Sequence, residues 1–113
     1  MIESYHFGRI TIDGQTYRSD VILYPDRVDS QWWRKEGHKL QLADIQPLLE
    51  ARPRWLVIGT GAYGLMKVTP EVIEAAEAAG IQLVSERTKR ACERYNALCQ
   101  QSEDVIAALH LTC

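Results

Sequence analysis

The feature that most constrains the fold is a continuous apolar run at residues 55–58, Trp-Leu-Val-Ile, which directly precedes a glycine-rich segment. A short run of this kind is typical of a strand that is buried on both faces. Thr69 and Pro70 then supply a helix start, residues 81–85 form another apolar run, and Thr88 begins an amphipathic stretch. Because strands alternate with helices, the sequence predicts an α/β domain in which crossover helices surround a central sheet.

The N-terminal part of the chain predicts a β-hairpin. Residues 5–12 have the apolar pattern of a strand, and the pattern changes phase at Gly8, as a β-bulge would cause. Asp13 and Gly14 form a favoured two-residue hairpin turn. Residues 16–25 are therefore predicted to be the returning strand.

The middle of the chain has a weaker pattern. Residues 26–42 are polar and predict an irregular strand or a long loop. Asp44 is predicted to cap a short helix, with Pro47 in the tolerant first turn and the helix ending before Pro53. Residues 105–111 predict the last strand. With neither a repeat nor a linker in its 113 residues, the chain is predicted to be a single domain, residues 1–113.

The charge balance argues against nucleic acid as the main partner. Thirteen Lys and Arg residues stand against fifteen Asp and Glu residues, which gives a net charge of −2 and a pI near 5.9. Duplex-binding domains gain much of their affinity by neutralising phosphates with Lys and Arg. The sequence also lacks an apolar run of about 20 residues and an N-terminal secretory pattern, so we expect no membrane partner.

The cysteines Cys92, Cys99 and Cys113 indicate a reducing compartment. An odd count without a Cys-x-x-Cys pair predicts neither a disulfide framework nor a zinc site, and free thiols are typical of the cytoplasm. His110 and Cys113 are two potential metal ligands, whereas a site needs three or four. We therefore predict a cytoplasmic protein without a metal site.

The motif most suggestive of a cofactor is Gly-x-Gly-x-x-Gly at Gly59, Gly61 and Gly64, directly after the buried strand. In a dinucleotide site these glycines allow a tight turn, and a helix N-terminus faces the pyrophosphate. The last glycine should then open a helix, whereas the best helix start here comes later, at Thr69. We therefore expect no nicotinamide or flavin cofactor and interpret the glycines as a crossover loop. One alternative stays open, in which the loop N–H groups and Lys67 hold a small anion.

Aromatic and basic side chains predict a binding surface at two places, the glycine-rich segment and residues 32–35, Trp-Trp-Arg-Lys. Trp and Arg are overrepresented among binding hot spots, although we expect at least one Trp to pack in the core. No nucleophile elbow or comparable arrangement is present, so no catalytic residue is predicted. The candidate binding residues are Gly59, Gly61, Tyr63, Gly64, Lys67, Trp33 and Arg34.

Other polar residues predict structural roles. Asp20, Asp26 and Asp29 are interpreted as a solvated acidic face. Asn96 follows Cys92 on or beside the packed stripe of its helix, and we expect its amide to satisfy a backbone N–H or C=O group from inside.

Several segments together resemble one known family. They are residues 56–61, Leu-Val-Ile-Gly-Thr-Gly, then Gly80-Ile81, then Thr88-x-x-Ala91-Cys92-x-x-Tyr95-Asn96-x-Leu98. In this order and spacing they are similar to the Mth-type domain family, over about residues 7–113. The resemblance implies a compact three-layer α/β domain with a central mixed sheet, helices on one side and an extra β layer from the N-terminal half.

The resemblance implies no enzyme, because the family has no established catalytic residues. Its known members, among them an adipogenesis-associated protein and an assembly factor of mitochondrial NADH dehydrogenase, are regarded as assembly or regulatory factors that act through protein contacts. Residues 102–104, Ser-Glu-Asp, stand where many members have a Gly-Arg pair, so no anion-binding role of that arginine is carried over. The leading hypothesis is a non-enzymatic binding domain with an unidentified protein partner. The alternative is a small-molecule or anion-binding domain at residues 59–64, which would reopen an enzymatic role.

Overall fold

Ten strands and three helices form the chain in a computed structural model that describes residues 1–113. The strands are β1 (Ile2–His6), β2 (Arg9–Ile12), β3 (Gln15–Tyr17), β4 (Val21–Leu23), β5 (Val28–Asp29), β6 (Lys39–Leu40), β7 (Trp55–Thr60), β8 (Lys67–Val68), β9 (Gln82–Glu86) and β10 (Val105–His110). The helices are α1 (Leu42–Ala51), α2 (Pro70–Ala78) and α3 (Thr88–Gln100). None of the three helices has the length and apolar character needed to cross a bilayer.

The central sheet has five strands in the order β5-β4-β10-β7-β9. β10, β7 and β9 run parallel to one another, whereas β4 pairs antiparallel with both of its neighbours, β10 and β5, so the sheet is mixed as expected. The chain runs from β7 outwards to β9 and then back past β7 to β10, so right-handed crossovers place α2 and α3 on opposite faces. The carboxyl ends of β7 and β10 therefore form the topological switch point, where open α/β sheets commonly bind ligands.

Alternate residues of the central strands face two separate hydrophobic cores. Leu56 and Ile58 belong to the core that contains α1 and α2, while Val57 belongs to the core under α3. In β10, Ile106 belongs to the core with α1 and α2, and Ala107 belongs to the core under α3. Burial on both faces explains why the run at the start of β7 has no polar position.

The N-terminal residues form a separate three-stranded sheet, β1-β2-β3, which packs on the α3 side of the central sheet. The prediction of one bulged strand is wrong, because the segment forms two antiparallel strands joined by a turn at Phe7 and Gly8. A bulge and a tight turn both change the phase of the apolar alternation, so the pattern did not separate them. The turn at Asp13 and Gly14 between β2 and β3 is confirmed.

The predicted returning strand is in fact two strands in different sheets. The chain leaves β3 in the small sheet and enters the central sheet as β4, where every residue is buried. The polar residues Arg18, Ser19 and Asp20 separate the two strands. Since α3 shares its face with the small sheet, helices cover both faces of the central sheet, not one as the resemblance implied.

The first residues of α1 and α2 agree only partly with those predicted from the sequence. Helix α1 begins after Gln41, and the Asp44 carboxylate accepts a hydrogen bond from the Gln41 N–H at 2.8 Å. Asp44 is therefore the third helical residue, not the cap, and Pro47 lies in the second turn, not the first. Helix α2 follows Thr69 and begins at Pro70, as predicted.

Candidate functional site

The glycine loop, which we define as residues 59–66, is closed by the last residues of the chain. The N–H of Ala62 donates to the carbonyl of Thr112 at 2.6 Å. The N–H of Leu65 donates to the carbonyl of Cys113 at 2.9 Å. Two of the backbone donors that would bind an anion are therefore already engaged within the chain.

Two of the predicted site glycines have close neighbours that require the absence of a side chain. A Cβ at Gly59 would lie 2.8 Å from the Thr88 hydroxyl, and a Cβ at Gly61 would lie 2.5 Å from the carbonyl oxygen of Cys113. The Thr88 hydroxyl accepts from the Gly61 N–H at 2.8 Å and donates to the carbonyl of His110 at 2.6 Å. These contacts tie the start of α3 to the ends of β7 and β10, so both glycines have a packing role.

Gly64 and Lys67 line an open cavity of about 480 Å³, which we call the β9 groove. It lies between β8, the start of α2 and β9. Four of its eight lining residues are apolar, namely Met66, Val68, Ile73 and Leu83. Tyr63 does not line it, but packs against Phe7 with the ring centroids 6.0 Å apart.

Trp33 lies at a second cavity of about 390 Å³, which we call the Trp33 groove. The groove lies between α1 and the β4–β5 end of the central sheet, and six of its 11 lining residues are hydrophobic. Trp33 is 76% exposed, whereas Trp32 is buried and donates its indole N–H to the carbonyl of Asp44 at 3.2 Å. The expectation that at least one of these tryptophans packs in the core is confirmed.

Arg34 was predicted together with Trp33, but its side chain turns inwards and only 5% of it is exposed. Its Nη1 lies 2.8 Å from Oδ2 of Asp20, and its Nη2 donates to the carbonyl of Gly37 at 3.1 Å. The guanidinium also lies over the ring of Trp32, 4.7 Å from the centroid. Arg34 therefore holds the loop after β5 against the sheet and does not form the exposed surface with Trp33.

Asp20 is the centre of this buried network, so the interpretation of a solvated face is wrong for this residue. Its side chain is 18% exposed, and Oδ1 accepts the N–H of Leu111 at 2.8 Å. Burial raises the pKa of Asp20, but hydrogen bonds from His110, Leu111 and Arg34 outweigh this effect and hold the pKa below its usual 3.8. The carboxylate is therefore ionised and shared among three donors.

His110 completes the network at the end of β10. Its Nδ1 lies 2.8 Å from Oδ2 of Asp20 and 3.0 Å from Nη2 of Arg34, between a carboxylate that accepts and a guanidinium that donates. Nε2 is buried without a hydrogen-bond partner. An Asp–His pair activates a hydroxyl or thiol that lies against Nε2. No such group does here, and the pair acts as a brace between β4 and β10.

Polar contacts elsewhere are structural. The Asn96 amide accepts from the N–H of Ile2 at 2.9 Å and donates to its carbonyl at 2.8 Å, which fixes α3 to β1. The prediction for Asn96 is confirmed. The three cysteines are free, and no group of three or more His, Cys, Asp or Glu side chains comes together as metal ligands would.

Comparison with known proteins gives matches along nearly the whole chain. The sequence model of a family described as "Protein of unknown function (DUF498/DUF598)" matches residues 2–110. The solved structure of the conserved hypothetical protein PH1505 of Pyrococcus horikoshii OT3 is 27% identical, with a TM-score of 0.84 over 100% of this chain and 99% of that one. The protein MT938 is 28% identical, with a TM-score of 0.83 over 100% and 98%. A Bordetella pertussis protein described as a Mth938-like domain shares the fold at 18% identity, with a TM-score of 0.77 over 98% and 85%.

Proposed function

The chain belongs to the DUF498/DUF598 family of proteins of unknown function, so we propose a function from its geometry. The chain is a protein-binding domain that binds a proline-rich segment of a partner in the Trp33 groove. The resemblance to Mth-type domains is confirmed by the solved relatives, which bring a fold and no activity. The observation that supports the proposal is the exposed Trp33 at the rim of an apolar groove.

Covering Trp33 would contribute a large part of a binding free energy. A Trp side chain offers roughly 150–250 Å² of surface, and burial contributes about 25 cal/mol per Å². Since Trp33 is 76% exposed, its burial by a partner would contribute about 3–5 kcal/mol before the cost of association is subtracted. The hydrogen bond from Trp32 to Asp44 fixes the wall of the groove in advance, which lowers that cost.

The polar lining of the groove favours an occupant that presents hydrogen-bond acceptors. The Tyr24 hydroxyl, the Trp33 indole N–H and the Lys35 ammonium group can all donate. The Asp44 carboxylate already accepts the N–H groups of Lys35 and Gln41. A proline-rich segment in the polyproline II conformation presents carbonyl groups without proline N–H groups, and such segments bind in aromatic-lined grooves.

A ten-residue polyproline peptide tests this proposal by isothermal titration calorimetry. We expect saturable binding, no binding of a glycine–serine peptide of the same length, and an affinity at least about tenfold weaker in Trp33→Ala. Tyr63→Ala is the matched control, because it removes a similarly exposed aromatic side chain, 61% exposed, outside the groove. Equal affinities of Trp33→Ala and the unmodified chain would refute the proposal.

An anion in the glycine loop is the alternative, and the hydrogen bonds of the loop weigh against it. A phosphate would have to displace the carbonyl groups of Thr112 and Cys113 from the N–H groups that now donate to them. We expect inorganic phosphate and mononucleotides to leave the melting temperature unchanged. A rise of several degrees that disappears in Lys67→Ala would favour the alternative. A cytoplasmic location stays a prediction, with which the three free thiols agree.

A further inference from the structure

One outer strand of the central sheet has unpaired backbone groups. β9 pairs with β7 and lies at the end of the strand order. The N–H of Gln82 donates to the carbonyl of Arg54 at 2.9 Å, on the β7 side. Because backbone groups alternate in direction along a strand, the N–H and C=O groups of Leu83 and Ser85 point away from the sheet. These four groups are free to pair with another strand.

β9 also lacks the features that usually protect an edge strand. It is five residues long, contains no proline, and keeps a regular register with β7 from Gln82 to Glu86. The other outer strand, β5, is only two residues long and follows a proline-containing turn at residues 24–27. Short strands and prolines blunt an edge, whereas a longer regular strand offers a template for pairing. The sheet is therefore open on its β9 side.

The β9 groove gives this edge an apolar pocket beside it. Leu83 and Ser85 line the groove on the α2 side of the strand, opposite the exposed apolar side chain of Ile73. Side chains on an added strand would alternate between the two faces of the sheet. Every second one would lie on the α2 side, within reach of Leu83 and Ile73.

The charge around the carboxyl end of β9 is positive, although the whole chain has a net charge of −2. Lys67 is the one charged residue that lines the groove. Arg90 and Arg94 each lie 3.8 Å from the same carboxylate, that of Glu86, so two cations share one anion. An acidic side chain on an added strand would be attracted to this end of β9.

We propose that β9 binds an extended segment of a partner protein as an additional strand, with apolar side chains at alternate positions and an acidic residue next to Lys67. The backbone pairing fixes the extended conformation, and the groove and the charge select the side chains. The Trp33 groove lies at the opposite end of the same sheet, four strand spacings or roughly 19 Å away. One domain therefore holds two independent segments, as an adaptor would.

Amide hydrogen exchange measured by NMR tests strand addition at single residues. The probe is a peptide of eight residues with alternating Val and Thr that ends in two Glu residues. We expect saturating peptide to slow exchange at Leu83 and Ser85 at least about tenfold. The amide of Gln82 is the internal control, because it is already bonded to Arg54 and should change little. Unchanged exchange at Leu83 and Ser85 would overturn the proposal.

Charge variants test the side-chain selection. Lys67→Glu should weaken binding of the probe roughly tenfold, because it replaces an attraction with a repulsion. Arg18→Glu makes the same charge change at an exposed residue between β3 and β4 and should have no effect. Equal affinities of these two variants would contradict the proposal. Trp33→Ala should bind the probe normally, since a loss there would place the peptide in the other groove and overturn strand addition at β9.

Backbone variants and self-association complete the test. Ser85→Pro removes an outward N–H without removing a bond to β7, and proline is tolerated at such edge positions, so it should abolish binding of the probe. If Ser85→Pro does not fold, Ile73→Asp should abolish binding by placing a charge in the groove, and normal binding would refute the proposal. Protection of Leu83 and Ser85 on concentrating the chain alone, with dimers seen in sedimentation, would mean that a second copy occupies the edge. That outcome would overturn the proposal of a partner segment.

Discussion

Replacing Asp20 with alanine should remove about 3–5 kcal/mol from the free energy of unfolding. The substitution leaves the Arg34 guanidinium buried without its carboxylate, and it removes the acceptor of the Leu111 N–H. A charge that loses its partner inside a protein retains the cost of its desolvation, which is why breaking one half of a buried pair is costly.

The size of this loss makes it easy to measure. A domain of this length has a total stability of about 5–15 kcal/mol, so the variant loses a large fraction of it. The unfolding entropy is about 2.1 cal/mol/K per residue, and for 113 residues the expected loss lowers the melting temperature by about 13–21 °C. Urea unfolding followed by circular dichroism should show a lower midpoint with an unchanged slope.

Asp26→Ala is the matched control for Asp20→Ala. The Asp26 carboxylate is exposed and lies 3.1 Å from Arg27, so its removal should cost less than about 0.5 kcal/mol. The double variant Asp20→Leu, Arg34→Met should regain part of the stability, because apolar side chains replace the buried ion pair, whereas the Leu111 N–H still lacks its acceptor. A loss below about 1 kcal/mol in Asp20→Ala, no larger than in the control, would refute the account of the network.

The same network predicts a pH dependence. The pKa of Asp20 is lower in the folded chain than its usual value, so the unfolded chain binds the proton more readily. The stabilisation that the ionised Asp20 carboxylate provides is therefore complete above about pH 4, and it is lost as the pH falls through the pKa of Asp20 in the folded chain. Unfolding measured between pH 7 and pH 3 should show a smaller fall in stability for Asp20→Ala than for the unmodified chain, and parallel curves would contradict this.

Three further predictions concern the backbone and the cysteines. Gly61→Ala should lower the free energy of unfolding, measured in urea, by about 2–5 kcal/mol, because the residue has a φ of 105° and a Cβ would meet Cys113. Gly80→Ala is the control and should lower it by only about 1–2 kcal/mol, since Gly80 has a φ of 75° but a Cβ there would have no atom within 4 Å. Equal losses in the two variants would contradict the packing role of Gly61. Ser102→Gly should raise the free energy of unfolding by about 0.5–1 kcal/mol, since Ser102 has a left-handed φ of 59°, and no gain would show that this conformation is not strained. Burial and the nearby charge of Glu93 raise the pKa of Cys92 to about 12. Iodoacetamide at pH 8, followed by mass spectrometry, should therefore show that the half-buried Cys113 is alkylated before Cys92 in the folded chain. Equal alkylation rates would mean that Cys92 is accessible.

The fold of the second half could be predicted from the sequence because its signals are local. Residues 55–58 show by their unbroken apolar character that β7 is buried on both faces. Pro70 specifies the start of α2 with its fixed φ. Thr69 lies at the N-cap position, but its hydroxyl donates to the Leu40 carbonyl at 2.9 Å and does not cap the helix. In the first half, the predicted returning strand is divided between two sheets at the polar residues Arg18, Ser19 and Asp20, which interrupt the strand but do not specify which sheet the chain enters next.

The exposed Trp33 was among the predicted binding residues, whereas the buried network around Asp20 was harder to predict because its contacts are long-range. Arg34 meets Asp20 from 14 positions away, and His110 meets it from 90 positions away. A weak signal did exist, since Asp20 directly precedes a strand in which every residue is buried. The open edge at β9 was not visible either, because the sequence of a strand does not specify its place in the sheet.

The most direct test of the central claim is an ¹H–¹⁵N NMR titration of the labelled chain with the polyproline peptide. We predict that the indole N–H of Trp33 and the backbone amides of Tyr24 and Lys35 shift together with one dissociation constant, while the amide of Gly61 does not move. Shifts confined to the glycine loop would support the alternative site instead. A spectrum that does not change at saturating peptide would contradict the assignment of the Trp33 groove as a binding surface.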